Sequence, residues 1–370
     1  MNVLDLARPD LLALAGYSSA RMEAEGGRIL LNANESPWPQ DAETPLNRYP
    51  DPQPLRLRAL MADLYGVDAA QLLIGRGSDE MIDLLIRGFC RAGQDAILVQ
   101  PPTFGMYAVC AAVHGAAVCS IPLGGERHLP DVDALRAAVL ASWETTPSKT
   151  APSKTARIKI VFACTPNNPT GGQAARSDLL RLARGLRRRA LLVVDEAYIE
   201  YADAKSLAAD VAGNRNLVVL RTLSKAHALA AARVGCMIAA PEIVALLRRI
   251  MPPYPLPTPC TDAAEAALTP ASLQRTHDRI VMVCSERERL RRRLCAHPQV
   301  RQVLPSQANF LTVRFDDPDA RYADLLAAGI VVRDVRRYRF LHDALRISVG
   351  SPQENDALLD TLGLRKEDAA

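Results

Sequence analysis

The 370-residue sequence predicts an α/β fold: a large domain built on a doubly wound, mostly parallel sheet, and a smaller α/β carboxy-terminal domain. Three observations carry this prediction. Apolar strand-like runs alternate with helical patterns from about residue 70 to 250, the signature of a parallel sheet covered by helices on both faces. The proline-rich stretch from Met251 to Pro259 then breaks the alternation. Beyond it lie a long helical region and three further strand-like runs, enough for a second, smaller core in a chain of this length. The domains are therefore read as an amino-terminal arm over 1–30, a large domain over 31–260 and a small domain over 261–370 joined by part of the arm, with the active site between the two domains.

The elements follow in chain order. A strand over 71–74 runs into Gly75-Arg76-Gly77-Ser78-Asp79-Glu80 and a helix from about Asp79 to Phe89. Free amides at such a helix start bind phosphate well, although any capped helix shows a similar pattern. The strand over 96–100 leaves through Pro101-Pro102-Thr103-Phe104, where Phe104 suits either a flat ring ligand or the core. After the strand over 158–163 comes Cys164-Thr165-Pro166-Asn167-Asn168-Pro169-Thr170-Gly171-Gly172, in which two prolines fix the backbone around Asn168 and the glycines allow a sharp turn. The strand over 190–194 delivers Asp195 at its carboxyl end, where open parallel sheets place ligand chemistry; the same residue would also cap a following helix. The strand over 216–220 leads into Arg221-Thr222-Leu223-Ser224-Lys225, with Arg233 eight residues beyond the lysine. The carboxy-terminal part reads as helix from Thr261 to about Cys295, interrupted near Pro270, and then strands over 309–315, 329–333 and 345–349.

Read together, these strand ends describe one chemistry. A lysine amine condenses with the aldehyde of pyridoxal 5'-phosphate only where it is partly desolvated and some of it is deprotonated, which marks Lys225 as the candidate. Thr222 and Ser224 offer hydroxyls to the phosphate, and the planar fork of Arg233 grips two of its oxygens. A carboxylate at Asp195 keeps the pyridine nitrogen protonated and makes the ring an electron sink. Asn168 and Tyr198 reach the ring's phenolic oxygen. Each piece alone has an ordinary explanation, such as a solvated lysine or a common tight turn. Their succession in one chain is hard to obtain by accident.

In this order the segments resemble the fold-type I pyridoxal-phosphate enzymes, and the aminotransferases in particular, from near residue 30 to the end. Within that group the chain is similar to the histidinol-phosphate aminotransferase family. The likeness is carried by Leu31-Asn32-Ala33-Asn34-Glu35-Ser36-Pro37-Trp38, Asn47-Arg48-Tyr49-Pro50, Gly77-Ser78-Asp79-Glu80, Pro102-Thr103-Phe104-Gly105-Met106-Tyr107, the run from Pro253 to Pro259, and Leu345-Arg346-Ile347-Ser348-Val349-Gly350. The resemblance implies Lys225 as the cofactor lysine, Asp195 as pyridinium partner, Asn168 and Tyr198 as ring-oxygen ligands and Phe104 as the stacking residue. It puts Ser78, Asp79, Thr222, Ser224 and Arg233 at the phosphate, with Tyr49 reaching the phosphate of a neighbouring subunit in a homodimer with shared sites. Arg346, Arg333, Tyr17 and Asn34 are implied at the substrate. The implied reaction is transamination between histidinol phosphate and 2-oxoglutarate, yielding glutamate. Aromatic amino-acid transamination and threonine-phosphate decarboxylation share nearly all of these motifs. A non-catalytic protein on the same fold would be expected to lack the lysine or to add a helix-turn-helix, and the sequence does neither.

Two departures stand out. His227 follows the lysine by two residues where an aromatic or aliphatic side chain is expected, and reads as a satisfied or partly exposed histidine. Phe104 occupies a position where many relatives carry tyrosine. Charge is nearly balanced, 45 basic against 41 acidic residues, so no nucleic-acid or membrane partner is indicated, and Arg187-Arg188-Arg189 reads as a cationic helix end. Eight cysteines form no CxxC pair, so no metal is expected and the thiols suit a cytoplasmic protein. The start carries charges too early for a signal peptide, and no stretch reaches membrane-spanning length. The segment from Thr146 to Ala156 repeats Pro-Ser-Lys-Thr without apolar periodicity and reads as a flexible surface insertion.

Overall fold

A computed structural model of the chain describes residues 2–16, 29–144 and 156–364. Tyr17 and the repeat up to residue 155 lie outside the described residues. The large sheet has seven strands: β1 (Leu72–Gly75), β2 (Asp95–Val99), β3 (Ala117–Ser120), β4 (Arg157–Cys164), β5 (Leu191–Asp195), β6 (Leu217–Thr222) and β7 (Gly235–Ile238). Their spatial order is β1-β7-β6-β5-β4-β2-β3. The five strands from β6 to β3 run parallel, while β7 lies antiparallel to both β6 and β1. Near-continuous apolar runs belong to strands covered on both faces, and β1, β2, β5, β6 and β7 are buried at every residue.

Alternate residues of each strand serve opposite layers, as the two-residue period requires. On one face Leu98, Val161, Val194, Val219 and Ile238 pack with the helices Leu55–Tyr65, Val132–Glu144 and Arg176–Gly185. On the other, Ile97, Phe162, Val193, Leu220 and Met237 pack with Ser78–Phe89, Met106–His114 and Pro241–Ile250. The parallel register sets the carboxyl ends of the central strands side by side: Cys164 of β4 lies opposite Asp195 of β5, and Asp195 opposite Leu220 of β6. Chemistry-bearing residues placed just past those ends therefore converge.

The second sheet is antiparallel in the order β10-β11-β9-β8, from β8 (Val300–Val303), β9 (Phe310–Phe315), β10 (Arg333–Asp334) and β11 (Ala344–Ser348). Leu311, Val313, Leu345 and Ile347 form its core with Leu290 and Leu294 of the helix Pro270–Cys295 and Leu358 and Leu359 of Pro352–Thr361. The structure corrects the sequence reading in three places. Of the run over 329–333 only Arg333 joins a strand, because Gly329, at φ +76°, ends the helix Pro318–Ala327 and Ile330 N–H donates back to Leu325 O at 2.8 Å. β8 was not expected, since Arg301 and Gln302 are exposed and leave no apolar run. Residues of the amino-terminal arm join the large sheet's outer layer, not the small domain: Val3, Leu6 and Ala7 pack into the core shared with Pro241–Ile250, and Arg8 N–H donates to Gly88 O at 3.0 Å. Among the described residues no helix is long and apolar enough to cross a membrane, and no His/Cys/Asp/Glu group could hold a metal.

Gly235, where β7 begins, lets the turn before the helix Ser78–Phe89 come close. A Cβ there would lie 2.5 Å from Ser78 N and 2.6 Å from Gly77 C, both backbone atoms that can yield only if the turn moves. Gly235→Ala is expected to lower unfolding stability by about 1–3 kcal/mol, the usual cost of overpacking. Urea denaturation measures it, and an unchanged midpoint would show that the turn is free to shift.

Candidate active site

The phosphate end of the site is built where the helix Ser78–Phe89 starts beside the β6–β7 connection. Gly77 precedes the helix at φ +81° with no side-chain cap, leaving the first-turn amides available to an anion. The backbone angle favours glycine at 77, and a Cβ there would stand 2.6 Å from Arg233 Nη2, so the guanidinium lies directly over this turn. Arg233 is held by Asp79 Oδ2 at 3.1 Å, and its Nη1 donates to Ser224 Oγ at 3.4 Å. Thr222 Oγ1 donates to Ser224 Oγ at 3.0 Å and in turn accepts from Ser224 N at 3.1 Å. Amides, two hydroxyls and a guanidinium converging on one spot form the donor set a phosphate monoester takes.

Asp195 forms the floor. It is buried, and it accepts from Tyr107 Oη at 2.7 Å and from Ala197 N at 3.1 Å. Burial raises its pKa from 3.8 to about 6, against the opposing effect of the Tyr107 hydrogen bond. A carboxylate this desolvated favours a positive partner above it, which fits a protonated pyridine nitrogen. Beside it, Asn168 Nδ2 donates to Tyr198 Oη at 3.3 Å, and burial pushes the Tyr198 hydroxyl's pKa well up. Phe104 stands at the wall, edge-on to Tyr107 with ring centroids 5.6 Å apart.

Lys225 opens into the same cavity, with its ammonium 5.8 Å from the centre of the Tyr198 ring. The residue keeps solvent access, yet the surrounding walls, and after them the charges of Arg346 and Arg233, lower its pKa. Arg346 comes from the small sheet. Its Nη1 donates to Asn168 Oδ1 at 2.5 Å, its guanidinium lies 5.1 Å from the centre of the Phe310 ring, and its buried Nε has no partner. Arg333 faces Arg346 directly in the β10–β11 register. Like charges in that position destabilise a sheet, and neither arginine has an ion-pair partner among the described residues; Arg333 is exposed, and the two lie beside the Lys225 cavity, not in its lining.

One cavity, with about 510 Å³ of empty space, is thus lined by Ser78, Asp79, Phe104, Asn168 and Asp195 together with Tyr198, Thr222, Ser224, Lys225 and Arg233. The structure does not bring Asn34 and Tyr49 into it. Both line a separate cavity with Arg48 and Pro257, where the Tyr49 ring stacks on Tyr254 with centroids 4.5 Å apart. Sequence reasoning missed Tyr107 as the partner of Asp195; it lies in the first turn of the helix Met106–His114, just past Phe104. Cys164, also in the lining, was given no role; burial raises its thiol pKa far out of the reactive range. His227 departs from expectation. It is neither satisfied nor partly exposed: it is buried, its Nδ1 has no partner, and burial lowers its pKa.

Comparison with known proteins places this arrangement. The family model for aminotransferase class I and II matches residues 27–362. The histidinol-phosphate aminotransferase of Stenotrophomonas maltophilia (strain R551-3) is 54% identical over 367 residues, spanning 99% of this chain and 98% of the relative. That of Xanthomonas euvesicatoria pv. vesicatoria (strain 85-10) is 50% identical over 373 residues, spanning 100% and 99%. Among solved structures, the histidinol-phosphate aminotransferase from Clostridium acetobutylicum superposes with a TM-score of 0.75 at 21% identity, covering 86% of this chain and 90% of that one. The Sinorhizobium meliloti enzyme in complex with pyridoxal-5'-phosphate gives 0.73 at 24% identity, covering 85% and 82%. At those identities the two structures speak for the fold.

The raised pKa of Asp195 has a measurable consequence in cofactor-free protein. The native state binds this proton more tightly than the unfolded chain, so its stabilising contribution is complete below pH 3.8 and is lost as pH rises through about 6, by about 3 kcal/mol in all. In urea denaturation, the wild type should lose about that much relative to Asp195→Asn between about pH 4 and pH 8. A pH-independent difference would mean that the carboxylate carries no burial cost.

Proposed function

Because this chain belongs to the class I and II aminotransferases, matching histidinol-phosphate aminotransferases along its whole length, we propose that it moves an amino group between histidinol phosphate and 2-oxoglutarate at the Lys225 cavity. It is a pyridoxal-phosphate enzyme of histidine biosynthesis. The observation that carries the substrate assignment is the Arg346–Arg333 pair: two guanidinium groups on neighbouring strands call for a doubly charged anion, such as a phosphate monoester. Arg346 by itself suits a carboxylate, which lets the same site take the dicarboxylate partner in alternation.

The bound cofactor supplies an electron sink that loosens a proton on the substrate carbon. Lys225 moves that proton; the cavity walls and the Arg346 and Arg233 charges keep more of its amine neutral than an exposed lysine would have. Asp195 holds positive charge at the cavity floor, kept in place by the Tyr107 hydroxyl and the Ala197 amide. Asn168 and Tyr198 orient the ring-oxygen side, and Asn168 also ties Arg346 to that side of the cavity. Ser78, Thr222, Ser224 and Arg233 anchor the phosphate, with Asp79 fixing the guanidinium of Arg233. Phe104, in the cavity wall, would shield one face of the ring from water.

Tyr49 and Asn34 complete the site of a second copy in a homodimer. The support is that Tyr49 is half exposed on a segment whose Ile29, Leu31, Trp38 and Leu55 are also exposed, an apolar run that another surface would cover. Work in the cytoplasm agrees with eight cysteines that are all free.

Purified protein is expected to turn over histidinol phosphate with 2-oxoglutarate at least ~100-fold more efficiently, in kcat/KM, than phenylalanine or threonine phosphate. Lys225→Ala should abolish the activity while circular dichroism stays unchanged. Preference for phenylalanine, or carbon dioxide release from threonine phosphate, would replace the assignment. For the dimer, mixing inactive Lys225→Ala with inactive Tyr49→Ala should restore part of the activity, because one of the two sites in a mixed dimer is then intact. Verified mixed dimers without any activity would rule out shared sites.

A further inference from the structure

Tyr338 has no role in the reading above, yet its hydroxyl stands beside Gly105, the neighbour of Phe104 in the cavity wall. It belongs to the turn between β10 and β11, where its N–H donates to Val335 O at 3.0 Å and its carbonyl accepts from Leu341 N at 3.1 Å. The ring packs against buried Leu304, Val335, Leu341 and Ala344, and the Arg337 guanidinium lies 5.7 Å from its centre. With the ring held by the small sheet, the hydroxyl reaches the large domain: a Cβ on Gly105 would lie 3.8 Å from it. Gly105 follows Phe104 of the cavity wall, and Tyr338 is close enough to Arg346 to favour that arginine's charged form. The phenol thus stands between Gly105 and the surroundings of Arg346, which faces Arg333 across the strands.

The oxygen count of the two substrates gives this hydroxyl a selective use. A carboxylate has two oxygens, and the fork of Arg346 can satisfy both. A phosphate monoester has three terminal oxygens, so with Arg346 and Arg333 engaged there is still an acceptor for an uncharged donor. We propose that Tyr338 is a specificity-determining residue whose hydroxyl donates to the phosphate of the phosphorylated substrate and contributes nothing to the dicarboxylate. This inference rests on the substrate assignment of the preceding subsection and adds a residue that discriminates between the two substrates of one site.

Tyr338→Phe keeps the ring and its packing and removes only the donor. The KM for histidinol phosphate should rise about tenfold, the effect of one hydrogen bond to a charged group. The kcat, and the KM for 2-oxoglutarate, should stay within about twofold of wild type. Inorganic phosphate titrated calorimetrically into the cofactor-loaded protein should bind the variant more weakly by a similar factor. An unchanged KM for histidinol phosphate in an active variant, or equal losses for both substrates, would overturn the role of Tyr338 alone. Wild-type protein inactive on histidinol phosphate would instead sink the substrate assignment, and equal phosphate affinity of the two proteins would then still exclude the hydroxyl.

Discussion

A desolvated carboxylate at the end of a central strand is the constraint around which the large domain is organised. Asp195 is nearly stripped of solvent, so its charge has to be met by protein donors and by whatever occupies the cavity. Tyr107 and the Ala197 amide supply the first of these, and the raised pKa shows that they do not suffice alone. Tyr107 is itself fixed by stacking on Phe162 of β4, with centroids 4.6 Å apart and planes 8° from parallel. The core packing of the sheet and the electrostatics of the site therefore share side chains. A change that disturbs one is felt in the other.

The turn after β4 links the two sheets. Asn168 contacts Tyr198 on one side and Arg346 on the other, while Thr312 of β9 donates to Pro169 O and Gln307 N–H donates to Gly171 O at 2.9 Å. Tyr198 meets Phe310 of β9 edge-on at 5.3 Å between centroids. The small sheet is thus fastened to the large domain at the residues that face the cavity. Arg346 is positioned relative to Asn168 and Tyr198 through these few contacts.

Much of this was legible in the sequence because parallel strands buried on both faces leave long apolar runs, and because catalytic groups in such sheets sit just past the strand ends. Lys225, Asp195, Asn168 and Ser78 could each be placed on that ground. The less regular elements were harder to read. β8 has too little burial to leave an apolar signal, and in the run before Arg333 Ile330 and Val332 pack against the small core behind a helix end without extending a strand. His227 was misread for a related reason: local sequence does not say that the turn carrying Lys225 folds its neighbour inward.

By itself, the sequence determined the α/β class, the order of the cofactor-type motifs and the lysine, since strand periodicity and turn chemistry are local properties. Only the tertiary structure decided that Tyr107 supports Asp195, that Arg333 faces Arg346, that Arg233 closes on Gly77, and that the arm carrying Val3 and Leu6 belongs to the large sheet. Those pairings join residues distant along the chain. They depend on strand register and on which helix covers which face, and these are settled only when the whole core packs.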